Sequence, residues 1–282
     1  MEAKGIYNKL EQDFIKTNMT DGWYISDELQ ELLTENFKER SMGLMFDFTK
    51  DIHKVYTAVF PSKFVMQKII DDDIENAMLF AHHAAIWDIR KSPEVFQQID
   101  KDLLLKFKER NISIYNLHVP LDNYGKYSTT KTLADTLGIK FEKTFAPYFG
   151  AMCGIIGKTE FNNIKDLQEK FKEIVGHDVK LYEYGDEDIK DSRVAVVAGG
   201  GNNIEILEEV VKEGVNTFVT GITAISDYSQ KSHDFAKENR LNILGGTHYS
   251  TEQFACQKIV EYFKEMGLET EFIPEKPVLE DM

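Results

Sequence analysis

The chain is poor in cysteine, has few basic residues for its acidic ones, and lacks any long apolar run. Its two cysteines, Cys153 and Cys256, stand far apart with no CxxC partner, which argues against a thiolate metal site or a disulfide framework. Lys and Arg number 33 against 48 Asp and Glu, a formal net charge of −15, and no stretch concentrates the basic residues. Such a surface repels phosphate backbones and anionic lipid, so neither a nucleic acid nor a membrane is an expected partner. No apolar run reaches bilayer-spanning length, and Met1 to Phe14 has no signal-peptide core, so a soluble, cytoplasmic protein is expected. Neither a GxxxxGK[ST] loop nor a GxSxG elbow occurs.

The chain does have the material for folded cores. Hydrophobic residues make up 42% of the 282 positions and charged residues 29%, ordinary usage for a globular protein. At the N-terminus, Ile6, Leu10 and Phe14 recur at helical spacing, as do Leu29, Leu32, Leu33 and Phe37 behind a Ser26 or Asp27 cap; neither segment shows chemistry. From Lys54 onward, short apolar runs alternate with amphipathic segments: Val55 to Phe60, Lys63 to Ile70, Ala77 to Ala81, Leu103 to Arg110 and Ile112 to Leu117. A second series runs from Met152 to Gly157 through Ile164 to Val175, Val179 to Tyr184, Val194 to Ala198, Ile204 to Lys212, Thr217 to Thr220, Ser229 to Asn239 and Leu241 to Leu244. The last helix should open near Ser250 and stop at Gly267, leaving Pro274 to Met282 as a surface extension. This alternation predicts an α/β protein of two lobes with mixed, largely parallel sheets. The lobes are expected over residues 1–130 and 131–282, with Tyr127 to Leu137 as a connecting helix.

Three strand-to-turn junctions carry the candidate chemistry. His82 and His83 follow the run Ala77 to Ala81, so both should emerge at the C-terminal end of a buried strand, where open α/β sheets bind ligands. Asp122 follows the run Ile112 to Leu121, with His118 four positions before it. His248 and Glu252, also four apart, follow Leu244-Gly245-Gly246-Thr247 at the mouth of the last helix, a spacing that puts two donors on one helical face. Each junction also has a plain structural reading: a surface or capping histidine pair, an Asx turn at Asp122, and a dipole-complementing Glu252 behind a Ser250 or Thr251 cap. Taken jointly, His82, His83, Asp122, His248 and Glu252 are nitrogen and oxygen donors without thiolate, a set suited to Zn, Mn or Fe. Five donors exceed the needs of one tetrahedral ion, which points to two divalent metal ions sharing a carboxylate. The loop Gly199-Gly200-Gly201-Asn202-Asn203 between a strand and a helix is a weaker candidate, for phosphate. Asp71-Asp72-Asp73 reads as a solvated helix end.

The blocks His82-His83-Ala84-Ala85-Ile86-Trp87, His118-Val119-Pro120-Leu121-Asp122 and Thr247-His248-Tyr249-Ser250-Thr251-Glu252 resemble, in order and spacing, the metal-binding blocks of the NGG-interacting-factor-three-like family, whose members are often labelled GTP cyclohydrolase type 2 homologues. The resemblance runs from about Ser41 to Gly267. It implies two α/β lobes enclosing a central dinuclear metal site, with His82, His83, Asp122, His248 and Glu252 as ligands, His118 and His233 as nearby catalytic histidines, and subunits assembled as a homohexamer. Two departures bear on the substrate side. Ala84 stands where the family has proline after the histidine pair, and Val119-Pro120 where it has Thr-Asn, which removes a polar side chain beside the metals. The function expected is that of a metal-dependent hydrolase acting on a small anionic or heterocyclic molecule. The alternative is a non-catalytic, metal-binding regulatory or scaffold protein.

Overall fold

The computed structural model describes residues 1–88, 95–227 and 229–282. In chain order its strands are β1 (Gly43–Phe46), β2 (Lys54–Ala58), β3 (Ala77–Ala81), β4 (Ile86–Trp87), β5 (Phe96–Gln97), β6 (Ile112–Asn116), β7 (Lys140–Tyr148), β8 (Ala151–Lys158), β9 (Lys180–Tyr182), β10 (Arg193–Val196), β11 (Thr217–Thr220), β12 (Asn242–Gly245) and β13 (Glu269–Phe272). The chain divides into two compact units. The first holds Met1–Leu121, Phe149–Ala151 and Cys256–Glu275; the second holds Asp122–Tyr148, Met152–Ala255 and Lys276–Met282.

The first unit is built on a five-stranded sheet in the order β1-β6-β3-β2-β13. Its pairs are parallel except β1 with β6. An interior parallel strand is covered on both faces and therefore reads as an unbroken apolar run; β3 is buried at every position. Leu79 joins Met66 and Ile69 of the helix Lys63–Asp71 and Leu104 and Phe107 of the helix Lys101–Glu109 in one core. The next residue, Phe80, points to the other face and meets the Phe263 ring edge-on at 5.5 Å. Ser62 and Asp100 cap the two helices by accepting the N–H groups of Val65 and Leu103.

The second unit carries a six-stranded sheet in the order β7-β8-β10-β11-β12-β9. Parallel pairing through β10, β11 and β12 is flanked by antiparallel β8 and β9. Period-two alternation sorts its two cores. Val194, Val196, Val219 and Leu244 pack with Leu167 and Phe171 of the helix Ile164–Val175. Ala195, Val197, Phe218 and Ile243 pack with Leu207 and Val210 of the helix Ile204–Lys212. Asn163 and Asn203 cap these two helices.

The α/β class with mixed, largely parallel sheets is as expected. Three local expectations are corrected. The segment around Leu29 to Phe37 is two short helices, Asp27–Gln30 and Glu35–Arg40, because Thr34 caps a new start by accepting the Phe37 N–H. The last helix spans His248–Glu265 and so opens earlier than Ser250. Pro274 to Met282 is no loose extension: the Asp281 carbonyl accepts the N–H groups of Thr223 and Ala224 at 2.7 and 2.8 Å, and the Asp281 side chain is buried. Among the described residues, no helix is long and apolar enough to cross a membrane.

Candidate functional site

In the first unit, strand pairing continues past the end of β3. The His82 and His83 N–H groups donate to the carbonyls of Ala58 and Val59 at 3.1 and 2.9 Å, and the Asn116 amide donates to the His82 carbonyl at 2.5 Å. Both histidines are thereby fixed at the C-terminal edge of the sheet, and both are buried. His82 Nδ1 lies 2.9 Å from the Leu117 carbonyl. A carbonyl can only accept, so Nδ1 carries the proton and the ring's electron pair sits on Nε2. His83 stacks on Phe60 at 4.9 Å and takes the edge of Trp23 at 5.6 Å. His118 completes the group, with ring centroids 5.2 Å from His82 and 4.8 Å from His83. The donor nitrogens of the three imidazoles lie within 4.8 Å of one another.

Behind His118 stands a residue that the sequence reading passed over. Asp21 Oδ2 lies 3.0 Å from His118 Nδ1. The same carboxylate accepts the Gly22 N–H at 2.8 Å and the Trp23 indole N–H at 3.0 Å. Burial works to raise this carboxyl, but the neighbouring His118 charge and these hydrogen bonds outweigh it and hold Asp21 below the usual carboxylate range.

In the second unit, the Thr247 N–H donates to Ser250 Oγ at 3.0 Å and the Ser250 N–H to Thr247 Oγ1 at 3.1 Å. This reciprocal cap starts the helix at His248, which puts His248 and Glu252 one above the other on its first turn. Their Nε2 and Oε2 atoms are 3.2 Å apart and both side chains are buried. The His248 N–H, at the helix mouth, donates to Asp281 Oδ2 at 3.0 Å. Gly199 makes room for the pair: its φ is +70°, and a Cβ there would stand 2.1 Å from Glu252 Oε1 and 3.2 Å from His248 Cδ2. The glycine loop is thus a cradle for a carboxylate. Its Gly199 and Gly201 amides already donate to Thr251 Oγ1 and Thr220 Oγ1 at 2.9 and 3.1 Å, which leaves them no part in the phosphate site expected for the loop.

Asp122, in the same unit, accepts the Thr129 hydroxyl at 2.6 Å. His233 is buried, and its two ring nitrogens are engaged within the unit. Nδ1 accepts the Tyr184 hydroxyl at 3.0 Å, while Nε2 lies 2.8 Å from the Thr223 carbonyl and 3.2 Å from the Asn202 amide. Burial lowers its pKa against the opposing Thr223 bond and Asp234 charge. Cys153 is buried, and burial first, then the charge of Asp122, push its thiol up to about 12.

The donors fit divalent transition-metal ions. One unit brings buried His82 and His83 together with half-buried His118, and the other pairs buried His248 with buried Glu252. Glycine at 199 leaves space that a side chain would fill. Asp21, Trp23 and Asp281 carried no signal in the sequence, because each acts through a partner remote in the chain, and the glycine run that marked Gly199 pointed to phosphate rather than to Glu252.

The comparisons with known proteins agree with this arrangement of elements. The family model for Duf34/NIF3 (NGG1p interacting factor 3) matches residues 25–277. A protein of Borreliella burgdorferi named GTP cyclohydrolase 1 type 2 homolog is 32% identical over 199 residues, covering 70% of this chain and 75% of its own. A Pyrococcus horikoshii protein of the same name is 29% identical over 238 residues, covering 82% and 88%. Among solved structures, the protein ybgI, titled as of unknown function, superimposes with a TM-score of 0.77 at 20% identity, over 99% of this chain and 100% of its own. Reduced HcgD from Methanocaldococcus jannaschii gives 0.69 at 23% identity, over 98% of each chain. These two structures bear on the fold. With the family model spanning nearly the whole chain, the protein belongs to the Duf34/NIF3 (NGG1p interacting factor 3) family.

Proposed function

We propose that the protein is a metal-dependent hydrolase in which His82, His83, Asp122, His248 and Glu252 hold two divalent ions, Zn, Mn or Fe, and that it acts on a small anionic or heterocyclic molecule. The observation that carries this reading is the trio of buried His82 and His83 with half-buried His118, whose donor nitrogens converge within 4.8 Å. Imidazole electron pairs brought together away from water are costly unless a cation or protons compensate them. Bound ions of this kind supply Lewis acidity, activating water at neutral pH and stabilising charge that builds on the substrate.

The chain's own residues supply the rest. Leu117 fixes His82 with its Nε2 as the electron-pair donor. Gly199 and the Thr247–Ser250 cap hold Glu252 and His248 in register on one helical face. Phe60 and Trp23 wall His83 with apolar surface, which lowers the local dielectric and strengthens every charge interaction there. His118 is the proposed proton carrier. His233, proposed with it as a catalytic histidine, acts through the Thr223 carbonyl, whose residue is in turn bonded to Asp281 at the mouth of the metal-ligand helix.

Ring opening of GTP is suggested by the names of the relatives alone, and the residues here single out no purine pocket. Assembly into hexameric rings and a cytoplasmic location belong to the same proposal. The test is a screen of nucleotides, phosphoesters and cyclic amides with Zn, Mn and Fe added. The expected result is a metal-dependent product that Asp122→Ala abolishes, a loss of at least a hundredfold. Tight metal binding without turnover on any of these substrates would overturn the hydrolase reading in favour of a scaffold.

A further inference from the structure

Asp21 lies in a turn outside every motif of the site, yet its carboxylate collects three donors. Oδ1 accepts the Gly22 N–H at 2.8 Å, and Oδ2 accepts both the Trp23 indole N–H and His118 Nδ1 at 3.0 Å. The turn is anchored in its own unit. Met19 is buried with Met42, Val119 and Ala151. The Thr20 N–H donates to the Phe149 carbonyl at 3.1 Å, and the Asn18 amide donates to the Gly150 carbonyl at 3.1 Å. Gly150, at φ +86°, admits this approach because a Cβ there would come within 2.3 Å of the Asn18 carbonyl oxygen. Trp23 then sets its edge against both His118, at 5.0 Å, and His83, at 5.6 Å.

We propose that Asp21 is a positioning residue that locks the His118 ring, keeping a proton on Nδ1 and the basic electron pair of the neutral ring on Nε2, with Trp23 as the second half of the clamp. An ionised carboxylate can only accept, so the nitrogen facing it must donate, and the ring's other nitrogen becomes the proton acceptor. A metal-site histidine held from behind by a carboxylate gains basicity and a fixed orientation. The value of this to catalysis rests on the hydrolase reading. The tautomer itself does not.

The test is long-range proton–nitrogen correlation NMR on the metal-free, histidine-labelled full chain at mildly alkaline pH. In the wild type, His118 should show a protonated Nδ1. In the isosteric Asp21→Asn change made together with Trp23→Phe, which removes the indole N–H that shares Oδ2, the side-chain oxygen keeps the adjacent Gly22 N–H and the new NH2 group faces His118. The Nδ1–H signal should be lost and the proton should appear on Nε2, the tautomer inversion that an Asp-to-Asn change causes in a catalytic triad. Trp23→Phe alone removes a competing donor and should keep the wild-type tautomer. An unprotonated Nδ1 in the wild type, or a retained Nδ1–H in the Asp21→Asn, Trp23→Phe double variant, overturns the proposal, and the wild-type arm decides even if the variant does not fold. Zinc titrated into the same wild-type sample tests the metal reading separately: if no histidine signal moves, that reading falls and the Asp21 assignment stands.

Discussion

Glu275 shows how one buried acid ties stability to pH. Burial pushes its carboxyl up to about 7 from an ordinary 4.5, against the opposing bonds from the Ser62 hydroxyl and the Phe60 N–H. Between those two values the native state holds a proton that the unfolded chain has released. The stabilisation is therefore complete below about 4.5 and is lost as the pH rises through about 7. Urea midpoints measured from pH 5 to 8 should fall across this window in the wild type and flatten in Glu275→Gln, which keeps a neutral acceptor for Ser62. A slope left unchanged by that substitution would show that Glu275 is not its source.

The last helix gets its chemistry from how its first turn is closed. Thr247 and Ser250 set its start, and Asp281 adds a carboxylate at its N-terminus, where the exposed N–H groups and the helix dipole favour negative charge. Asp281→Ala should lower stability by about 1 kcal/mol in urea unfolding, and should weaken metal binding because the His248 backbone loses its tether. An unfolding curve superimposable on the wild type would remove the tail from the site. Elements were legible in the sequence where their signal is local. The apolar run of β3 and the periodic Ile164–Val175 and Ile204–Lys212 helices stand as read. β13 pairs with β2 from the opposite end of the chain, and a pairing that remote leaves no mark in a local pattern. The same holds for the site. The three candidate donor blocks show as adjacent or four-spaced residues, whereas Asp21, Gly199 and Asp281 make their contacts with partners distant in sequence.

At the scale of the whole molecule, a net charge of −15 gains a second meaning if Asp122 and Glu252 hold metal, because neither then counts as free negative charge. A positive patch set in an acidic surface would exclude long polyanions while admitting one small anion. The departures at Ala84 and Val119-Pro120 put apolar residues in buried positions. The positive patch depends on the metal. Elemental analysis of the purified full chain after saturation and desalting tests the central claim most directly. The account expects two transition-metal equivalents per chain, falling to one or fewer in His248→Ala. Less than one equivalent in the wild type, with no change in His248→Ala, would contradict it.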